Sequence, residues 1–249
     1  MTSPAQKKLI NNVALITGAT RGIGKAVAAA YLREGARVFI CARNQQEVAA
    51  TVRELRYDNA EAQVDGCAGD VGKETDVCRI VDAVLERFQT IDTLVNNASL
   101  LGPRMALVQY PLAQWKEVIR INLHGAFLLS QQVVKPMIAQ RHGSIINVSS
   151  GVGRVGRARW GAYAVSKFGL EGLTQVLADE VKEFGIRVNS VNPGPTRTEM
   201  RAEAYPEEDP LTLPTPEQIT PIFVHLASDQ SDNVTAQMLE AKDWSPPAD

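Results

Sequence analysis

Tyr163 and Lys167 stand four residues apart in a segment of helical character, so their side chains share one face. A phenol with a pKa of ~10 exchanges protons poorly near neutrality unless something stabilises its phenolate. Lowering that pKa by about three units takes roughly 4 kcal/mol of differential stabilisation, for which a nearby ammonium is a source. Ser150, thirteen residues before the tyrosine, offers a hydroxyl that can hold the oxygen being protonated. Ser149 is its close competitor, and the spacing to Tyr163 favours Ser150. A Tyr–Lys pair at this spacing also occurs by chance, so its setting in the chain matters.

That setting begins with Thr17-Gly18-Ala19-Thr20-Arg21-Gly22-Ile23-Gly24, which follows the apolar run Val13 to Ile16 and opens a helical pattern. Glycines at a first strand–helix turn allow a pyrophosphate to approach a helix N-terminus, and they also serve ordinary strand–helix packing. An acidic residue ending the second strand would accept hydrogen bonds from an adenosine ribose. This sequence has Ala42 there, followed by Arg43. Arg43 and Arg21 could together meet a 2′-phosphate, or both could be plain surface arginines. NADP(H) is therefore expected over NAD(H), with NAD(H) still possible. A positively charged nicotinamide would then add to the stabilisation of the Tyr163 phenolate.

Short apolar runs alternate with helical patterns from Val13 to Asn192. The strands are read at 13–16, 38–41, within 60–68, at 93–95, 144–148 and 186–191. The helices are read at 22–34, 44–57, 73–88, 112–140 and 162–184. Buried runs between helices imply a parallel sheet covered on both faces, and right-handed crossovers make a doubly wound α/β sheet the leading topology. The alternation breaks after Asn192. Residues 193–221 hold Pro193, Pro195, Pro206, Pro210, Pro214, Pro216 and Pro221 with the acidic cluster Glu207-Glu208-Asp209. Such a segment cannot be one regular element, and it is read as a lid over a site or as a surface excursion.

The 249 residues suit a single large core. With 26 basic and 28 acidic residues, a generic nucleic-acid binder is excluded. Cys41, Cys67 and Cys78 show no C-x-x-C spacing, and His124, His142 and His225 are dispersed, so no metal site is expected. No apolar run suits a signal peptide or a membrane span, and a cytoplasmic protein without membrane partners is expected.

Taken together, the chain resembles the short-chain dehydrogenase/reductase family of roughly 250-residue type. The likeness rests on residues 17–24, Asp70-Val71, Asn96-Asn97-Ala98, Asn122, Ser150, Tyr163-x-x-x-Lys167 and Pro193-Gly194. It implies one Rossmann-like domain with seven parallel strands in the order 3-2-1-4-5-6-7. It also implies hydride transfer between nicotinamide C4 and a carbonyl or secondary alcohol. Tyr163 would then be the general acid, Ser150 would hold the substrate oxygen, and Lys167 would bind the nicotinamide ribose and lower the Tyr163 pKa. Asn122 would hold a water linking Lys167 to solvent. The implied cofactor residues are Gly18, Thr20, Arg21, Gly22, Ile23, Gly24, Arg43, Asp70, Val71, Asn96, Ala98, Tyr163, Lys167, Pro193, Gly194, Thr196 and Thr198. Asp70 and Val71 would meet the adenine, and Asn96 and Ala98 would line the cleft. A homodimer or homotetramer through the two long helices, about 112–140 and 162–184, is implied as well.

Three departures accompany the likeness. Ser99 follows Ala98 where the family usually has glycine, which would tighten the cleft wall. The C-terminal pattern is Thr235-Ala236 with Lys242-Asp243-Trp244. Arg154, Arg157 and Arg159 lie between Ser150 and Tyr163, on a loop that would read an anionic substrate or else meet solvent or a second subunit. The stretch from Ser149 through Tyr163 to the 205–210 loop resembles the YciK-like bacterial oxidoreductases. Within the enzyme reading, a 3-oxoacyl thioester reductase and a general reductase of small carbonyls both remain open. A non-catalytic cofactor-binding sensor or scaffold is the alternative from another class.

Overall fold

In a computed structural model, residues 7–59, 61–242 and 244–245 are described; residues 1–6, Ala60, Asp243 and residues 246–249 lie outside that description. Seven strands form one sheet: β1 (Val13–Thr17), β2 (Arg37–Ala42), β3 (Val64–Ala68), β4 (Thr93–Asn96), β5 (Gly143–Val148), β6 (Ile186–Asn192) and β7 (Met238–Glu240). Their order is β3-β2-β1-β4-β5-β6-β7 and every pairing is parallel. The register sets Ile16 beside Val95 and Asn96 beside Asn147, so the C-terminal ends of β1, β4 and β5 converge. In an open parallel sheet, the crevice beyond those ends is where ligands bind.

Helices α1 (Gly22–Arg33), α2 (Gln45–Asp58), α3 (Glu74–Phe88), α4 (Leu112–Ile119), α5 (Gly125–Gln140), α6 (Gly161–Val181), α7 (Glu199–Ala204) and α8 (Thr220–Ala227) complete the fold. Alternate strand residues face two separate cores, as a sheet buried on both sides requires. Ala14, Ile16 and Ile40 meet Val27 and Tyr31 of α1, Val52 of α2 and Phe223 of α8. Val13, Leu15 and Phe39 meet Ile80 and Val84 of α3 and Val133 and Met137 of α5. Helix α1 ends at Gly35, whose φ of +89° suits glycine.

Two stretches differ from the sequence reading. Residues 112–140 are one continuous helical run only with a π-helical turn, Arg120–His124, set between α4 and α5. The chain beyond Asn192 is more regular than its prolines suggest. Helix α7, 3₁₀ turns at Pro210–Thr212 and Pro216–Ile219, then α8 and β7 follow one another there. Helix α8 is buried on most sides, so it lacks the polar stripe that marks a surface helix. Arg187 of β6 ties it to the sheet by donating to the carbonyls of Leu226 and Ser228.

Candidate active site

The glycine turn is shaped by close backbone approach. Gly18 has φ +62°, and a Cβ there would stand 2.9 Å from Ala98 Cα; one on Gly24 would stand 2.7 Å from the Gly18 carbonyl oxygen. Asn97 clamps the turn to β4, its Nδ2 donating to the carbonyls of Thr17 at 2.8 Å and Gly18 at 3.0 Å. Thr17 Oγ1 in return accepts from the backbone N–H groups of Asn97 and Ala98, each at 3.0 Å. Arg21 is the N-cap of α1 and gives it no side-chain cap, and no acidic residue lies in its first turn. Helix α2, by contrast, is capped by Asn44, which accepts from Gln46 and Glu47. The free N–H groups and positive end of α1 therefore fit a pyrophosphate, and this cradle fits a dinucleotide.

The other expected cofactor residues have particular engagements. Thr20 donates to Glu47 at 3.4 Å, and Ile23, in the first turn of α1, packs at the edge of the core. Arg21 pairs with Glu199 of α7 at 3.0 Å, with the two side chains 70% and 75% exposed. Arg43 is exposed just beyond β2 and carries no ion pair among the described residues. The Asp70 carboxylate receives Arg120 at 2.9 Å and the Gly72 N–H at 2.9 Å. Burial alone would raise its pKa, but these donors hold it below the usual carboxylate range. Val71 is buried and packs against Gly125. Gly194 adopts φ +70° after Pro193, and Thr196 is buried with its hydroxyl on the Pro193 carbonyl. Thr198 caps α7 and lies over Gly22, 3.5 Å from where a Cβ would be. Asn96 is buried in a polar ladder and lines a small cavity together with Ala98. Its Nδ2 donates to Ser130 and Asn147, and Asn147 donates to Thr174.

Ser149 and Ser150 diverge, and their partners decide between them. Ser149 Oγ, fully buried, donates to Glu171 at 2.5 Å, whereas the Ser150 hydroxyl faces the Tyr163 phenol. Tyr163 and Lys167 do lie on one face of α6, with Nζ 5.5 Å from the phenol ring centroid. Lys167 is only 2% exposed and donates to the Val148 carbonyl at 2.8 Å. Burial drives its pKa down to about 8, against the raising effect of the Glu171 carboxylate.

The phenol departs from expectation. Burial pushes Tyr163 up to about 12, with the hydroxyls of Ser150 and Ser99 opposing the shift. Tyr163 is packed against Trp160 at 5.7 Å, and the Lys167 ammonium is spent on a carbonyl rather than on the phenol oxygen. Desolvation of the anion therefore outweighs the two hydroxyls in the protein alone.

Asn122 sits in the π-helical turn and uses its side chain to brace the cleft. Oδ1 accepts from Leu100 N at 2.7 Å, and Nδ2 donates to Leu100 O and to Ser166 Oγ. A cavity of about 10 Å³, lined by Thr17, Asn96, Asn122 and Lys167 among others, lies behind it. That volume suits one water molecule.

Leu101, Val152, Trp160, Ala164 and Ala204 form an apolar cluster with Tyr163, and α7 supplies its outer side. Arg201 forks onto Glu208 at 2.6 and 2.7 Å, and Arg197 donates to the carbonyls of Pro210, Leu211 and Leu213. These bonds fold the stretch from Arg197 to Leu213 back on itself. The Arg104 guanidinium lies against the neighbouring rings of Trp160 and Tyr205, 4.8 and 4.7 Å from their centroids, and donates to the Ala204 carbonyl. Of the three arginines expected near substrate, Arg154 is diverted. It pairs with Glu240 of β7 and approaches Glu171, which leaves Arg157 and Arg159 exposed.

Glu171 and Arg104 were not singled out by their positions in the sequence, and Asn97 was given no role of its own. Asn97 had a signal in the Asn-Asn pair, but only the close approach of β1 and β4 shows what it clamps. Glu171, one turn beyond Lys167, could have been found by continuing the i, i+4 series along α6.

With this geometry in view, the likeness to known proteins is specific. The short chain dehydrogenase family profile matches residues 12–209. An Escherichia coli strain K12 protein described as the uncharacterized oxidoreductase YciK is 35% identical over 240 residues, covering 96% of this chain and 95% of that one. A Thermotoga maritima 3-oxoacyl-[acyl-carrier-protein] reductase, FabG, is 37% identical, covering 93% of this chain and 96% of that protein. A crystal structure of a short chain dehydrogenase from Escherichia coli CFT073, complexed with NADPH, superposes with a TM-score of 0.91 at 35% identity. That match covers 96% of this chain and all of the other. The sheet order, the glycine turn and the Ser–Tyr–Lys cleft thus have one common explanation: the chain belongs to the short-chain dehydrogenase family.

Proposed function

We propose that the protein is an NADP(H)-dependent oxidoreductase that interconverts a carbonyl compound and the corresponding secondary alcohol. The observation that carries this reading is the meeting of Ser150, Tyr163 and Lys167 in one cleft beside the uncapped N-terminus of α1. The nicotinamide supplies or accepts the hydride. Ser150 holds the substrate oxygen while Tyr163 Oη gives it a proton in reduction and takes one back in oxidation. Lys167 holds the nicotinamide ribose and favours the phenolate by its charge. Asn122 keeps Leu100 and α6 in register, and the adjoining cavity offers a water-sized step for returning the proton. Arg43 and Arg21 support the phosphorylated cofactor, in keeping with the NADPH-bound structure of the related protein.

The apolar mouth beneath α7 suits a carbonyl carbon flanked by apolar groups, which both small ketones and 3-oxoacyl thioesters provide. A negatively charged substrate group would fall to Arg157 and Arg159. A homodimer through α4–α5 and α6 is supported by Phe127, Val165, Phe168 and Val176, which are exposed on those helices.

The test is a carbonyl panel screened with NADPH and NADH in parallel on the wild type and on Tyr163→Phe. We expect NADPH-linked turnover that falls by orders of magnitude in the variant while NADPH affinity stays unchanged. Retained turnover would place the proton donor elsewhere, and NADPH binding without turnover on any carbonyl would favour a sensor or scaffold.

A further inference from the structure

Ser99 lies three residues beyond the end of β4 and belongs to a stretch pinned on either side. Ala98 N donates to Thr17 Oγ1 at 3.0 Å, and Leu100 is held through both its N–H and its carbonyl by Asn122. Between these fixed neighbours the Ser99 hydroxyl lies within reach of the Tyr163 phenol, as does the Ser150 hydroxyl. Its Oγ is buried and has no partner of ordinary hydrogen-bond geometry among the described residues. Buried hydroxyls in native proteins are nearly always paired, so an idle one beside a proton donor calls for a chemical reason.

The other groups around the phenol are committed. Lys167 Nζ donates to Val148 O, and Ser150 Oγ accepts from Val152 N while holding the substrate oxygen in the proposed reaction. When Tyr163 loses its proton it becomes a pure acceptor, and a donor beside it gains strength at that moment. We propose that Ser99 is a further catalytic residue, whose hydroxyl donates a hydrogen bond to the Tyr163 oxygen in its deprotonated state. A donor idle against the phenol and engaged by the phenolate favours the charged state alone, which is the differential interaction that speeds proton transfer.

The inference rests on Tyr163 being the proton donor, so its test must separate the two claims. Ultraviolet titration of the NADP⁺-saturated protein, taken as wild type minus Tyr163→Phe, isolates the ionisation of this one phenol and needs no substrate. Ser99→Ala and Ser99→Gly should each move its midpoint upward by about one pH unit, the size expected for one lost hydrogen bond to a charged oxygen. Ser99→Thr, which keeps the hydroxyl, should stay within a few tenths of a unit. A wild-type phenolate whose midpoint is unmoved in Ser99→Ala and Ser99→Gly overturns the role of Ser99 and leaves that of Tyr163 standing. Absence of any Tyr163-dependent phenolate in the wild type overturns both.

Discussion

Lys167 Nζ lies 2.8 Å from the carbonyl oxygen of Val148, so an ammonium from the N-terminal third of α6 is held on the last residue of β5. This contact locks the helix that carries Tyr163 to the end of the sheet, and it keeps a positive charge where water scarcely reaches. The charge is costly, and the cost can be measured.

The folded pKa of Lys167 is lowered to about 8 from its ordinary 10.5. Below pH about 8 the lysine is charged in both folded and unfolded chains, and the full burial penalty weighs on the fold. Between about 8 and 10.5 the unfolded chain binds more protons, so this group makes stability rise with pH. Lys167→Met should therefore be more stable than wild type by about 1–2 kcal/mol at pH 7, after the lost hydrogen bond to Val148 is counted. The gain should vanish near pH 10. Urea denaturation at the two pH values checks it, and a less stable variant at pH 7 would refute it.

Cofactor binding should carry the same signature. If the Lys167 ammonium holds the nicotinamide ribose, NADPH affinity should weaken about tenfold as pH rises through 8. Glu171 raises the lysine pKa, so Glu171→Gln should shift that edge to lower pH by about half a unit. Fluorescence titration of NADPH across pH measures both, and an edge unmoved by the substitution would disconnect the pair.

Arg21 and Glu199 are bound to each other in an exposed pair of the kind usually worth less than ~1 kcal/mol. A 2′-phosphate can therefore draw Arg21 away. Glu199→Gln should tighten NADPH binding by up to about fivefold and leave NADH binding unchanged, while Arg43→Ala should weaken NADPH selectively by about tenfold or more. Parallel dissociation constants for the two cofactors decide it. Equal affinity for both in the wild type would remove the arginines from cofactor choice.

Gly18→Ala should be severe. Alanine there is strained at φ +62° and meets Ala98 Cα at 2.9 Å, with a cost of about 1–3 kcal/mol, and NADPH affinity should fall because the whole turn shifts. Thermal melting and NADPH titration read the two effects separately.

Most of the sheet and the site was legible because local chemistry leaves a mark in composition. Continuous apolar runs, helix periodicity, the glycine turn and the Tyr–Lys spacing each follow from constraints within a dozen residues of chain. Seven strands in this order also followed from the family resemblance. Helix α8 and β7 left no such mark, because one is apolar nearly all round and the other is only three residues long.

By itself, the chain determined a doubly wound α/β fold and the residue types of its cleft. Tertiary structure decided which atoms are free to act. Ser149 is consumed by Glu171 and Arg154 by Glu240, while Ser150 and Ser99 are left beside the phenol. Only the packed cleft decided that the Tyr163 pKa is pushed above even the ordinary phenol value, because desolvation depends on everything that surrounds a group, and those neighbours come from distant parts of the chain.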